Sequence, residues 1–336
     1  MKRLSFGNKI IFIVNNVFAI LLLLSYLTVF ISPADFPISG VLNFSIPLLW
    51  MLNGLFVIFW LIKLKKQILL SGIIMAIGWF QVQNLFVLPT GETKTENGIK
   101  VMSYNVMQFY SLKEKQKSTF QNINDFLKAE APDVICFQEY KIEKTNLFQD
   151  YQFRVINNDS ANLKTVILSK YRIINDKHYG FGSSNNSAVF ADIVINNDTL
   201  RVFSIHFESL NLKQDIQMLQ EEPNRRLAKR LSRSFSRQIL QIEEIEKDII
   251  NSPYPVVLSA DMNNTAFSHL YKRITDLGLK DTFVESGEYY GRTFNFFGLP
   301  VRIDMIFVDP ELRSIHFKNY DVDFSDHKPV MAEIGL

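Results

Sequence analysis

Three long apolar runs open the chain, and then the rhythm changes. Residues 10–31, 41–62 and 68–88 contain no Asp, Glu, Lys or Arg. A bilayer core of about 30 Å is crossed by about 20 helical residues, so each run predicts a transmembrane helix. Gln81, Gln83 and Asn84 weaken the last turns of the third run, for which an interfacial helix is the alternative. Pro33, Pro37 and Gly40 punctuate the first link, and Pro89 and Gly91 follow the third run. A cleaved signal sequence is the rival reading of the first run. Its apolar stretch exceeds the about 7–15 residues of a signal core, and two further runs follow it.

The flanking charges predict an orientation. Lys2, Arg3 and Lys9 precede the first run, and Lys63, Lys65 and Lys66 fill the second link, whereas the first link carries only Asp35. Positively charged flanks stay on the cytoplasmic side. With three crossings, everything after Pro89 then lies outside, in the periplasm or the extracellular space; with two, it lies inside. The polar stretch 92–98 reads as a short linker between an anchor, residues 1–91, and a second domain, residues 99–336.

From residue 99 the apolar residues come in short runs bounded by turn formers, the pattern of strands. Runs at 99–106, 133–139, 163–169, 187–195, 200–207, 255–261, 302–308 and 327–334 fit it, with helical patterns at 116–130, 214–250 and 265–277. Asn197-Asp198 predicts a tight hairpin between two of the strands. Strand blocks interrupted by few helices favour an α+β sandwich over an alternating doubly wound sheet. The length of 336 residues allows two such parts. The formal net charge of +2 is too small to argue for nucleic acid. The single cysteine, Cys136, rules out an intrachain disulfide framework and sits in an apolar run, as a buried thiol does.

The chemistry-bearing residues share one position: the ends of apolar strands. Asn105 follows VMSY, Glu139 follows VICFQ, His206 lies in VFSIHFES, and Asp261 and Asn263 follow VVLSA. Asp304 lies in RIDMIF, and Asp326-His327 introduces the last strand. A carboxylate beside a buried strand is costly unless it meets a cation or hydrogen-bond donors. Several converging from adjacent strands would make an anionic pocket suited to Mg²⁺ (or Mn²⁺), an oxygen-loving cation. No Cys/His set has the spacing of structural zinc.

The ordered motifs MSYNV (102–106), FQEY (137–140), SIHFES (204–209), SADMNN (259–264), RIDMIFV (302–308) and SDHKPV (325–330) resemble those of the endonuclease/exonuclease/phosphatase superfamily. The resemblance implies a four-layered α/β/β/α sandwich of two packed mixed sheets flanked by helices, here preceded by three transmembrane helices. It implies a divalent metal on Glu139, with Asn105 and Asp326 beside it. Asp261 would orient or deprotonate the attacking water, and Asn263 would hold phosphate or nucleophile. His327 would be the essential histidine oriented by Asp304, and His206 would protonate the leaving group or hold phosphate. The chain departs from many relatives at Met107, Ala260 and Met305.

The substrate is less legible. On a helix, Arg226, Arg230, Arg233 and Arg237 share a face, either a ridge for an anionic substrate or a solvated surface. Phe294, Phe296 and Phe297 form an aromatic cluster before the RID motif, either a pocket wall or core. Three functions fit: a metal-dependent phosphoesterase acting on a phosphate ester at the lipid bilayer, favoured by tethering; a tethered nuclease, with nucleic acid as substrate only; and a non-catalytic membrane-bound binding module. No obligate protein partner is expected.

Overall fold

The computed structural model describes residues 4–89, 98–110, 118–141, 148–157, 163–182, 184–210, 224–296 and 298–336. The N-terminal part is helical: α1 (Phe6–Thr28), α2 (Ile38–Phe44), α3 (Ile46–Ile62), α4 (Ile68–Ile77) and the single turn α5 (Trp79–Val82). Its interior mixes polar groups with an apolar cluster of Ala19, Leu22, Ile46 and Leu49, and its surface is largely apolar. In α1 the buried residues include Asn15, Ser25 and Thr28, while Ile10, Ile13, Val17, Ile20, Leu24 and Leu27 are exposed. The inward polar groups satisfy one another. Asn15 Nδ2 donates to Ser71 Oγ at 2.6 Å, Ser71 Oγ to Asn53 Oδ1 at 2.8 Å, and Trp60 Nε1 to Asn15 Oδ1 at 2.9 Å. Hydrogen bonds between helices, with apolar side chains facing outward, are how helices associate in a medium without water.

The expectation of three separate crossing helices needs correction. Among the described residues, by length and composition only α1 qualifies alone, and α2 with α3 qualifies as a pair bent by 51°. The third run breaks up. Helix α4 has ten residues, about 15 Å at 1.5 Å per residue, half of a bilayer core. The cause lies downstream, where residues Asn84–Val87 are drawn out of the helical path to bond the second part of the chain. Phe86–Val87 form strand β1, paired with β11 (Tyr289–Tyr290).

The second part is two six-stranded sheets. The first has the order β15 (Arg313–Asn319), β16 (Val330–Gly335), β2 (Ile99–Asn105), β3 (Val134–Tyr140), β5 (Lys164–Ser169), β4 (Phe153–Ile156). The second has the order β10 (Lys280–Asp281), β14 (Asp304–Val308), β9 (Val256–Asp261), β8 (Asp198–His206), β7 (Ser187–Ile195), β6 (Arg172–Gly180). Pairs β2–β3 and β8–β9 are parallel and the others antiparallel, so both sheets are mixed. Val101, Cys136 and Ile167 of the first sheet meet Val189, Val202, Val257 and Ile306 of the second in a central core. The outer face of the first sheet packs on α6 (Phe120–Glu130) through Ile123 and Leu127. The outer face of the second packs on α7 (Asn224–Ile250) and α8 (His269–Asp276) through Ile242, Ile245, Leu270 and Ile274. These layers make the α+β sandwich expected from the pattern, with α9 (Thr282–Ser286) and the small hairpin β12 (Phe294–Phe296)–β13 (Leu299–Val301) at one end.

The predicted hairpin exists, one residue earlier than expected. Ile195 pairs with Asp198, so Asn196-Asn197 make the turn, and Asn196 supplies the positive φ of 56°. Strands β4, β6 and β15 had no clear signal. Strand β6 is a polar edge strand, mostly exposed, so no alternation marks it. Residues 92–97, 116–117 and 214–223 of the predicted segments, and Phe297, lie outside the described residues.

Candidate active site

The parallel pairs at the centre of each sheet bring their C-terminal ends together. Asn105 pairs with Gln138 in one sheet, and His206 with Asp261 in the other, itself paired with Asp304. Asp261 is fully buried and is the hub. Asn105 Nδ2 donates to Asp261 Oδ2 at 2.9 Å and reaches Glu139 Oε1 at 3.4 Å. His206 Nε2 lies 3.6 Å from Asp261 Oδ2 and 3.8 Å from Glu139 Oε1. His327 Nε2 lies 3.8 Å from Asp261 Oδ2, while its Nδ1 is held by Asp304 at 2.9 and 3.1 Å.

Local backbone geometry aims these groups. Glu139 has φ 51° at an irregularity in the β3–β5 pairing, and Asn263 has φ 46° just beyond β9. Left-handed backbone costs about 1–3 kcal/mol at a residue other than glycine and clusters at functional sites. The Asn263 N–H donates to Asp261 Oδ1 at 2.9 Å and its side chain to Phe207 O at 3.0 Å. Asn105 Oδ1 accepts from Met107 N at 3.0 Å, so its amide presents N–H groups, not oxygen, to the carboxylates. Ser325 Oγ donates to Asn105 O at 2.8 Å and lies 3.2 Å from Oδ1 of half-buried Asp326.

Charge sets the protonation of the His327–Asp304 pair. Burial pulls the His327 pKa down, but Asp304 and Asp261, with Asp326 adding to them, outweigh it and hold the imidazole well above its ordinary 6.5. Burial pushes the Asp304 carboxyl upward, partly offset by His327. Two buried acids, Asp261 and Asp304, with half-buried Glu139 and two buried histidines beside them, call for a cation or an anion between them. Asp261, Asp304 and His327 offer ligand atoms within 4.8 Å of one another. His206 Nε2, on a residue 3% exposed, has no hydrogen-bond partner among the described residues. A carboxylate-rich donor set with one unmatched imidazole nitrogen fits a hard divalent cation next to a phosphate.

The arginine series divides. Arg237 Nη1 pairs with Glu208 Oε1 at 2.7 Å, and Arg230 Nη1 donates to Leu210 O at 3.0 Å. Both therefore brace the segment after β8, while Arg226 and Arg233 are exposed. Glu208, the acid nearest His206 in sequence, serves Arg237 and Ser184.

Several supporting residues had no sequence signal. Gln238 is fully buried in α7 and donates to Glu208 O, Met262 O and Asn263 O, fixing the loop that follows Asp261. Thr293 Oγ1 accepts from the N–H groups of Ile303 and Asp304 at 2.9 and 3.0 Å. The Phe294 ring packs on His327, centroids 4.9 Å apart, and Phe296 meets Phe44 of α2 at 5.1 Å.

A pair of mixed sheets between helices, with acids, amides and histidines gathered at one edge, is the build of phosphoester hydrolases. The chain belongs to the endonuclease/exonuclease/phosphatase family, whose profile matches residues 102–327. Residues 8–85 match a domain of unknown function, DUF8431. No curated protein matches the chain. Among solved structures, an endonuclease/exonuclease/phosphatase from Beutenbergia cavernae is similar at TM-score 0.57 and 16% identity, over 72% of each chain. A mannosyl-6-phosphatase from Bacteroides thetaiotaomicron is similar at TM-score 0.53 and 16% identity, over 71% of this chain and all (100%) of its own. D. rerio TDP2, solved with a single-strand DNA product, is similar at TM-score 0.53 and 14% identity, over 72% of this chain and 100% of its own. At these identities the likeness is one of fold.

Proposed function

We propose that the chain is a membrane-anchored, divalent-metal-dependent phosphoester hydrolase that uses water as nucleophile and acts on a phosphate ester at the lipid surface. One observation carries the chemistry: Asp261 faces Asn105, His206 and His327 inside 4 Å, with Glu139 beside them. Glu139, with Asp326 as a further acid of the site, would hold Mg²⁺ (or Mn²⁺), which when bound neutralises charge developing on the phosphoryl oxygens. Asp261 orients the attacking water and takes its proton. Protonated His327, locked by Asp304, donates from Nε2 to a phosphoryl oxygen. His206 Nε2 supplies a proton to the leaving alcohol oxygen as the P–O bond breaks. Asn263 holds the phosphate or the water.

Anchoring rests on the outward apolar and inward polar faces of α1, α3 and α4. Its direction rests on chain geometry. Helix α1 is about 34 Å long and α3 about 25 Å. The last turn of α1 and the first of α3 adjoin the sandwich, through Val29 O to His269 Nδ1 at 2.8 Å and the packing of Ile46 in a cluster with Phe267. Lys9 and Lys63–Lys66 therefore lie at the far end of the bundle, from which residues 68–87 return the chain to the sandwich, and the positive-inside tendency favours a sandwich outside the cytoplasm. Docking at the bundle's end keeps the site close to the bilayer surface, which favours a lipid headgroup as substrate.

Exposed Arg225, Arg226, Lys229 and Arg233 on α7 favour one second reading, a tethered nuclease. Full-length protein in nanodiscs with Mg²⁺ separates these readings when offered phospholipid, single-stranded DNA and a small phosphomonoester. Headgroup release that disappears in Asp261→Ala and His327→Ala supports the lipid reading, and DNA cleavage with the same losses supports the nuclease. No turnover of any of them leaves only a binding module. A reporter fused after Leu336 and found in the cytoplasm would overturn the orientation.

A further inference from the structure

The helical bundle touches the sandwich through the loops that carry the reacting groups. Arg302, two residues before Asp304, is fully buried. Its guanidinium makes two forks. Nη1 and Nη2 donate to Asp281 Oδ1 and Oδ2 at 3.1 and 2.6 Å; Nε and Nη2 donate to the Asn84 carbonyl at 3.0 and 2.7 Å. The next carbonyl, Leu85 O, accepts from Gly291 N at 2.9 Å, two residues before Thr293, whose hydroxyl holds the Asp304 N–H. The Asn84 side chain donates to Ala266 O at 3.0 Å, in the loop that follows Asp261 and Asn263. A Cβ on Gly291 would lie 2.7 Å from Arg302 Cδ, so the glycine is what lets the arginine reach across to the bundle segment.

On the reading of the site given above, we propose that Arg302 is a positioning residue for Asp304 and that residues Asn84 and Leu85 of the bundle complete the active-site scaffold. A buried guanidinium whose hydrogen-bonding partner is lost leaves donors without acceptors and relaxes toward water. Asp304 moves with it, and with Asp304 the ring of His327. A shift near 1 Å at a reacting group costs up to about 100-fold in rate. The bundle is then part of the catalytic unit and not only a tether.

Full-length protein carrying Arg302→Lys, Asn84→Gly or, as control, Arg273→Ala tests this with bis(p-nitrophenyl) phosphate, a soluble diester that removes any effect of membrane presentation. Lysine keeps the charge near Asp281 but cannot make both forks. Glycine frees the backbone that presents the carbonyl. Both are expected to lower kcat at least about tenfold with KM within about twofold. In both, amide exchange over residues 299–308 speeds up while that over β7 is unchanged. Parent kcat and parent exchange in both variants would overturn the proposal. If the parent hydrolyses no phosphate ester, the proposed function fails, and the exchange comparison still decides whether residues 84 and 85 hold the Asp304 strand.

Discussion

Nε2 of His206 lies 3.6 Å from Oδ2 of Asp261, and no described residue gives it a hydrogen bond. A buried imidazole nitrogen normally has a partner, and the missing one matches the oxygen of a bound phosphate ester. His206→Ala is expected to lower kcat by about 100-fold or more, the scale of general acid catalysis. The loss should be smaller for a diester with a good leaving group such as p-nitrophenolate, which needs little protonation. An equal loss for good and poor leaving groups would remove His206 from the proton-donor role.

Asp304 and Asp261 hold His327 protonated above its ordinary pKa of 6.5 against the pull of burial. If the protonated ring is the working form, activity is retained through neutral pH and lost as pH rises through the folded-state pKa. Asp304→Asn removes one of the two charges that raise it. The alkaline limb of the pH–rate profile should therefore move to lower pH, with kcat at pH 8 falling more than kcat at pH 6. A limb that stays in place in Asp304→Asn argues that another group titrates there.

Asp261 is fully buried near Asp304 and Glu139, and like charges at that spacing repel without a cation. With Mg²⁺ present, Asp261→Asn should abolish turnover; in EDTA it should raise the melting temperature, equivalent to about 1 kcal/mol of relieved repulsion. Mg²⁺ should raise the melting temperature of the parent and have little effect on Glu139→Ala. A parent insensitive to both EDTA and Mg²⁺ would count against the metal.

Away from the site, Ala131 ends α6 in the left-handed conformation, φ 49°, its N–H bonded to Leu127 O. Glycine meets no steric cost there. Ala131→Gly should stabilise the fold by about 0.5–1 kcal/mol, seen as a higher urea midpoint at unchanged m-value and unchanged activity.

Much of this was open to reading in the primary structure, for a local reason. The apolar run around Val134–Phe137 is strand-like because both faces of β3 are buried, and Asn105, Glu139, Asp261 and Asp304 stand out only as an ordered set, since a strand-end acid or amide taken singly is more often a turn residue. The ordered motifs did the same for His206 and His327. The boundaries of β6 were not legible, since a polar edge strand has no periodicity. Gln238 and Thr293 look like ordinary surface residues in sequence; only packing buries Gln238 under the Asp261 loop and sets the Thr293 hydroxyl beneath Asp304.

The third apolar run marks the dividing line. Its composition predicts that residues 68–88 avoid water. Whether they continue as one helix depends on long-range partners. Arg302 and Gly291, more than two hundred residues away along the chain, claim the Asn84 and Leu85 carbonyls. Hydropathy is additive along a segment and can be read from the segment alone. Hydrogen bonds between distant segments depend on how the whole chain packs, and here that packing decided where the helix stops and what the bundle touches.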